Sequence, residues 1–85
     1  MLAANMVDHR LLQRITSNAE IFGGKPIVRG MRISVEMVLS QLAQGVSQPD
    51  LLEDHPSLQP EDIQACLAYA HAVIANDTLD NIKVG

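Results

Sequence analysis

The sequence predicts a mainly α protein: a three-helix bundle containing a helix-turn-helix pair, preceded by a small β-hairpin element. Three observations carry this. After residue 33, three segments each open on a capping or helix-starting residue and continue with apolar residues at helical spacing. Just before them, Gly23-Gly24-Lys25-Pro26-Ile27-Val28-Arg29-Gly30-Met31-Arg32-Ile33 sets two short apolar stretches around backbone-shaping glycines and a proline. Finally, Phe22 and Tyr69 are the only aromatics in 85 residues. The core must therefore be aliphatic, and a single domain of this length has a thin one.

The amino-terminal part contributes least. Residues 1–10 show weak periodicity and read as a flexible N-terminus. Residues 11–16 form a short apolar run around Arg14, read as a strand, and Ser17-Asn18 begins a turn. Ile27-Val28 and Met31-Arg32-Ile33 flank Arg29-Gly30, a two-residue connection with glycine second. That is the pattern of a tight hairpin or a type II turn. In a hairpin, Met31, Ile33 and Val35 share one face and Arg32 and Ser34 the other.

The helices follow. Ser34 is an N-cap, Val35, Val38, Leu39 and Leu42 recur at helical spacing, and Gly45 is the stop, so the first helix covers residues 35–44. Ser47 caps the second, with Pro49 in the first turn and Asp50 three residues past the cap; Leu51 and Leu52 form its apolar face and His55-Pro56 ends it. Pro60 opens the third, with Glu61 and Asp62 at its positive end. Ile63, Leu67, Ala70 and Ile74 mark its apolar stripe, Cys66 and Val73 lie beside it, and Asn76-Asp77 is the stop. The domain thus spans 11–77, and 78–85 is a short C-terminal tail.

Composition narrows the class. Cys66 is alone, so no disulfide framework exists and the thiol reads as a small buried hydrophobe. No signal pattern or membrane-spanning run is visible, which points to a cytoplasmic protein away from membranes. The net charge of −4 conceals a split. Arg10, Arg14, Lys25, Arg29 and Arg32 against Asp8 and Glu20 leave residues 1–32 at +3, whereas Lys83 against eight acids leaves residues 33–85 at −7. An anion-facing head on an acidic body is implied. The thin core, and a third helix apolar around much of its girth, lead us to expect a homodimer.

Enzyme chemistry finds no foothold. Gly23-Gly24-Lys25 lacks the Walker spacing and runs into Pro26 rather than a hydroxyl-bearing helix start. His9, His55, His71 and Cys66 have no paired-ligand spacing, so neither metal nor cofactor is expected. Asp50, Glu53 and Asp54 share a helix face, but no nucleophile stands beside a base. A short helix, a turn and a longer helix instead resemble a DNA-binding pair. In such pairs the start of the last helix meets base edges, and here that start is Pro60-Glu61-Asp62, whose two carboxylates would repel phosphate. The expected DNA contact is therefore the basic ribbon, with Arg14, Lys25, Arg29 and Arg32 engaging phosphate.

Several of these segments together resemble one family. Arg14-Ile15-Thr16, Gly23-Gly24-Lys25-Pro26-Ile27-Val28-Arg29-Gly30 and Arg32-Ile33 are similar to the beginning of the DUF433 family. Gly45-Val46-Ser47, Leu51-Leu52, Pro56-Ser57-Leu58, Glu61-Asp62-Ile63 and Leu67-Ala68-Tyr69-Ala70 resemble the rest, in the same order. Ala19 after Asn18, Met31 before Arg32 and His55 before Pro56 depart from its pattern. The resemblance implies a homeodomain-like three-helix fold behind a small β element. It further implies a non-enzymatic antitoxin that binds operator-like double-stranded DNA and pairs with a PIN-like ribonuclease toxin. The rival expectation is a protein-interaction adapter or dimerisation module that binds no DNA.

Overall fold

The computed structural model describes residues 9–76. In chain order these form helix α1 (His9–Leu12), strand β1 (Ile15–Thr16), a 3-10 turn (Phe22–Gly24), strand β2 (Ile27–Val28), and helices α2 (Val35–Ala43), α3 (Gln48–Asp54) and α4 (Pro60–Ala75). Mainly helical architecture behind a small antiparallel element is what the sequence predicts. Most of the expected flexible segment 1–10 and all of the expected tail 78–85 lie outside the described residues, but His9 and Arg10 are helical.

The first correction concerns residues 11–16. Only Ile15–Thr16 is extended; Leu11 and Leu12 belong to α1, whose turn closes through Gln13 N–H to His9 O (3.1 Å) and Arg14 N–H to Leu11 O (3.0 Å). Both leucines are half-buried, and α1 packs against α4. Two adjacent leucines can shelter together on one side of a helical turn, whereas a strand would send one of them to solvent.

β1 pairs antiparallel with β2, Ile15 opposite Val28 and Thr16 opposite Ile27. The other edge of β2 meets the chain returning from the hairpin: Val28 N–H donates to Ile33 O (3.0 Å), and Ile27 bridges to Ser34. β2 is therefore central, and Ile27 and Val28 are fully buried. The connection itself is a tight turn closed by Met31 N–H to Val28 O (2.7 Å), with Arg29 at φ 43° and Gly30 at φ 71°. Two positive values mark the primed turn suited to hairpin twist rather than type II. Met31 and Ile33 pack on the core and Arg32 is exposed, as the alternation requires.

The helix caps act as the sequence predicts. Ser34 Oγ accepts from Met37 N–H (3.0 Å), and Ser47 Oγ from Asp50 N–H (3.2 Å). α2 ends in a Schellman motif: Gly45 N–H reaches Leu42 O and Val46 N–H reaches Gln41 O, both at 3.0 Å, with Gly45 at φ 94°. The core unites Val28, Val35, Val38, Leu51, Leu58, Ile63 and Cys66. Here the expected stripe of α4 needs a second correction. Asp62, Ile63, Ala65 and Cys66 are its buried residues, while Leu67, Val73 and Ile74 are exposed. The first half of α4 serves the domain's core, and the second half turns an apolar side outward.

Candidate nucleic-acid interface

Ladder register places two arginines side by side. Continuing from Ile15 opposite Val28, the next pair is Arg14 and Arg29, joined by Arg29 N–H to Arg14 O (2.7 Å). Gly30 N–H adds a bond to Thr16 Oγ1 (2.9 Å), which ties the hairpin tip to β1. Like charges opposite one another in a sheet repel, and both guanidinium groups are directed at one carboxylate.

That carboxylate is Asp62, fully buried in the first turn of α4. Its Oδ1 accepts from Arg14 Nη1 (2.9 Å) and Arg29 Nε (2.9 Å). Its Oδ2 accepts from Arg29 Nη2 (2.8 Å) and from Gln59 N–H (2.8 Å). Arg29 is thus bidentate, which is the strongest geometry for this pair. Arg14 Nη1 also donates to Gln59 Oε1 (3.0 Å), and Arg29 Nη2 to Ser57 O (3.0 Å). Burial pushes the Asp62 carboxyl up, but the hydrogen bonds from Arg29, the Gln59 N–H and Arg14 outweigh it and hold the group down at about 2. The Arg29 guanidinium is correspondingly raised by its bond to Asp62.

The arginines are not sealed in. Their side chains remain 28% exposed at Arg14 and 36% at Arg29, so the triad carries one surplus positive charge at the surface, beside the α3–α4 turn. Asp62, expected to repel phosphate from the start of the last helix, faces inward and is neutralised; Glu61 next to it is exposed. Of the four predicted DNA-contacting residues, Arg14 and Arg29 come together. Arg32 lies just past the hairpin tip, exposed, with no ion pair among the described residues. Lys25 belongs elsewhere: its Nζ donates to Glu36 Oε1 (2.8 Å) at the start of α2, and that bond lowers the Glu36 carboxyl. The four do not form one cationic face.

Asp62 is the residue that sequence reasoning misplaced. A signal was present: it stands four residues before Cys66 and adjacent to Ile63, on the core side of α4. Burial, with Asp62 nearby, raises the Cys66 thiol to about 11, which makes it a packing residue rather than a nucleophile. Among the described residues no group of three His, Cys, Asp or Glu could hold a metal ion, and no helix is long and apolar enough to cross a membrane.

Comparison with known proteins agrees with the motifs. The family described as "Protein of unknown function (DUF433)" matches residues 15–70, from the first residue of β1 to the middle of α4. The uncharacterised protein y4eO of Sinorhizobium fredii (strain NBRC 101917 / NGR234) is 43% identical over 58 residues. Those residues are 68% of this chain and 26% of that relative, so the chain matches about a quarter of the relative's length. No solved structure gives a significant match. The match spans β1, β2, α2, α3 and the half of α4 that holds Asp62, and the chain belongs to the DUF433 family.

Proposed function

We propose that this protein is a non-enzymatic DNA-binding regulator of the antitoxin type, acting in the cytoplasm and pairing with a PIN-like ribonuclease toxin. The observation that carries the DNA part is the position of the Arg14–Asp62–Arg29 cluster. It lies at the turn between α3 and α4, where a helix-turn-helix pair meets the duplex, and it presents net positive charge there. Arg14 uses Nη1 on Asp62 and Gln59, which leaves its other N–H groups for phosphate oxygens. Arg32, beyond the hairpin tip, supplies a further cation. The antitoxin part is an analogy drawn from the resemblance described above; the matched family is itself described as one of unknown function. A PIN-like ribonuclease encoded beside this chain, whose toxicity its co-expression relieves, is the expected partner.

The test is a salt titration of binding to random duplex DNA by fluorescence anisotropy. Affinity should fall steeply as salt rises. Arg32→Ala touches no ion pair among the described residues, so it should weaken binding without loss of fold and reduce the logarithmic salt slope by about one. Identical titrations for the two proteins would remove Arg32 from the interface. A protein with no affinity even at low salt would leave the adapter reading. That reading has its own support in the exposed acids Asp50, Glu53 and Asp54 on α3 and in an apolar groove on the far half of α4.

A further inference from the structure

The second half of α4 and the exposed side of α2 enclose an open apolar groove of about 530 Å³. Val35 and Leu39 form one wall, and Tyr69, Ala70, Val73 and Ile74 the other. Ile74 is 68% exposed and Val73 44%, high values for large aliphatic side chains in so small a domain. A contiguous apolar surface of this kind, with a polar rim, marks an interaction site. We propose that the groove is the surface through which two copies of this chain form a symmetric homodimer.

The charge distribution selects a second copy over a charged partner. Between Asp62 and Asp77 the chain contains no Asp, Glu, Lys or Arg. Among the described residues, the ionised groups at the groove are Lys25 and Glu36, which pair with one another and cancel. A strongly basic or acidic partner finds nothing to complement there. Copies with a net charge of −4 repel each other over acidic faces such as that of α3, but meet at this one without like-charge repulsion. One cation and one anion on the rim are also self-complementary. A two-fold rotation sets Lys25 of one copy toward Glu36 of the other, as an isologous contact requires. Ala70 lets the two α4 helices approach closely, and Val73 and Ile74 of each enter the other's groove. Tyr69 lies two turns after Asp62, about 10 Å along the helix axis. Both arginine clusters therefore stay outside the interface, and the dimer does not depend on DNA binding being correct.

Sedimentation equilibrium of the full chain without DNA tests the proposal. The expected result is a concentration-dependent mass reaching twice 9.2 kDa. Ile74→Asp and Val73→Asp place a carboxylate in the apolar contact, and each should raise the dimer dissociation constant by about tenfold or more. Phe22→Ser, an exposed apolar residue outside the groove, should leave it unchanged. Circular dichroism checks that the variants stay folded. Should they not, Ile74→Cys joined across copies by a short bis-maleimide gives an independent measure, since Cys66 is buried. A monomer at all concentrations, a dimer indifferent to both aspartates, or no cross-link at Ile74→Cys would each overturn the assignment.

Discussion

Asp62 shows how one side chain can link three parts of the fold. It accepts the Gln59 N–H that starts α4, holds Arg14 at the end of β1, and holds Arg29 at the hairpin tip. Its carboxyl titrates near 3.8 in the unfolded chain and at about 2 in the folded one. The unfolded state therefore binds more protons between these values, so stability rises with pH there. The contribution is fully present above about pH 4 and is lost as pH falls toward 2; it amounts to about 2 kcal/mol. Thermal melts from pH 5 to pH 2 should show the midpoint of the native protein falling more steeply than that of Asp62→Asn, which has no such proton to bind. Parallel curves would mean that Asp62 is not the linked group. The sequence pattern sets this first-turn acid outward, toward phosphate, and the structure turns it inward, because the direction of an N3 carboxylate depends on a sheet register that pairs residues eleven and thirteen positions apart.

Elements whose ends are set by their own neighbours were the legible ones. Ser34, Gly45, Ser47 and Pro60 each act within a few residues of their place in the chain, and the bounds of α2, α3 and α4 follow from them. β1 was only half legible, since Leu11 and Leu12 choose helix for the sake of a contact with α4, distant in sequence. The inward face of α4 departs from the sequence period, because Leu67, Ala70 and Ile74 continue the period of Ile63 after the domain's core has ended. The hairpin tip tests the local logic directly. Gly30 sits at φ 71°, and a Cβ added there meets nothing within 4 Å. Gly30→Ala therefore adds no clash, and its cost is the left-handed backbone alone, about 1–2 kcal/mol. Gly30→Asn should lose less, because asparagine tolerates this conformation. Denaturant midpoints in the order Gly, Asn, Ala are expected; equal midpoints would show that the turn relaxes to another type.

At the scale of the molecule, the two halves of α4 divide the work. Its first half joins the sheet to the core through Asp62, Ile63 and Cys66, and its second half offers the apolar groove. This division makes the roles of Arg14 and Arg29 hard to separate, since removing either one both deprives a duplex of a cation and leaves the buried Asp62 short of donors. Replacing all three members together resolves the ambiguity. Buried ion clusters exchanged for apolar residues of similar volume often keep or gain stability, whereas breaking such a cluster by removing one partner costs several kcal/mol. In Arg14→Met, Asp62→Leu, Arg29→Met no charge is left unpaired, and the Gln59 N–H is the one backbone donor that loses its Asp62 acceptor. The triple variant should melt within a few degrees of the native protein, whereas Asp62→Leu alone should be clearly less stable because it leaves two adjacent guanidinium groups facing one another. If the arginines contact phosphate, the triple variant should also lose duplex affinity and show a logarithmic salt slope smaller by about two, one for each phosphate contact removed. A stable triple variant with native DNA binding would assign Arg14 and Arg29 to folding alone. The contact surface would then have to be sought around Arg32 and the exposed residues of the α3–α4 turn.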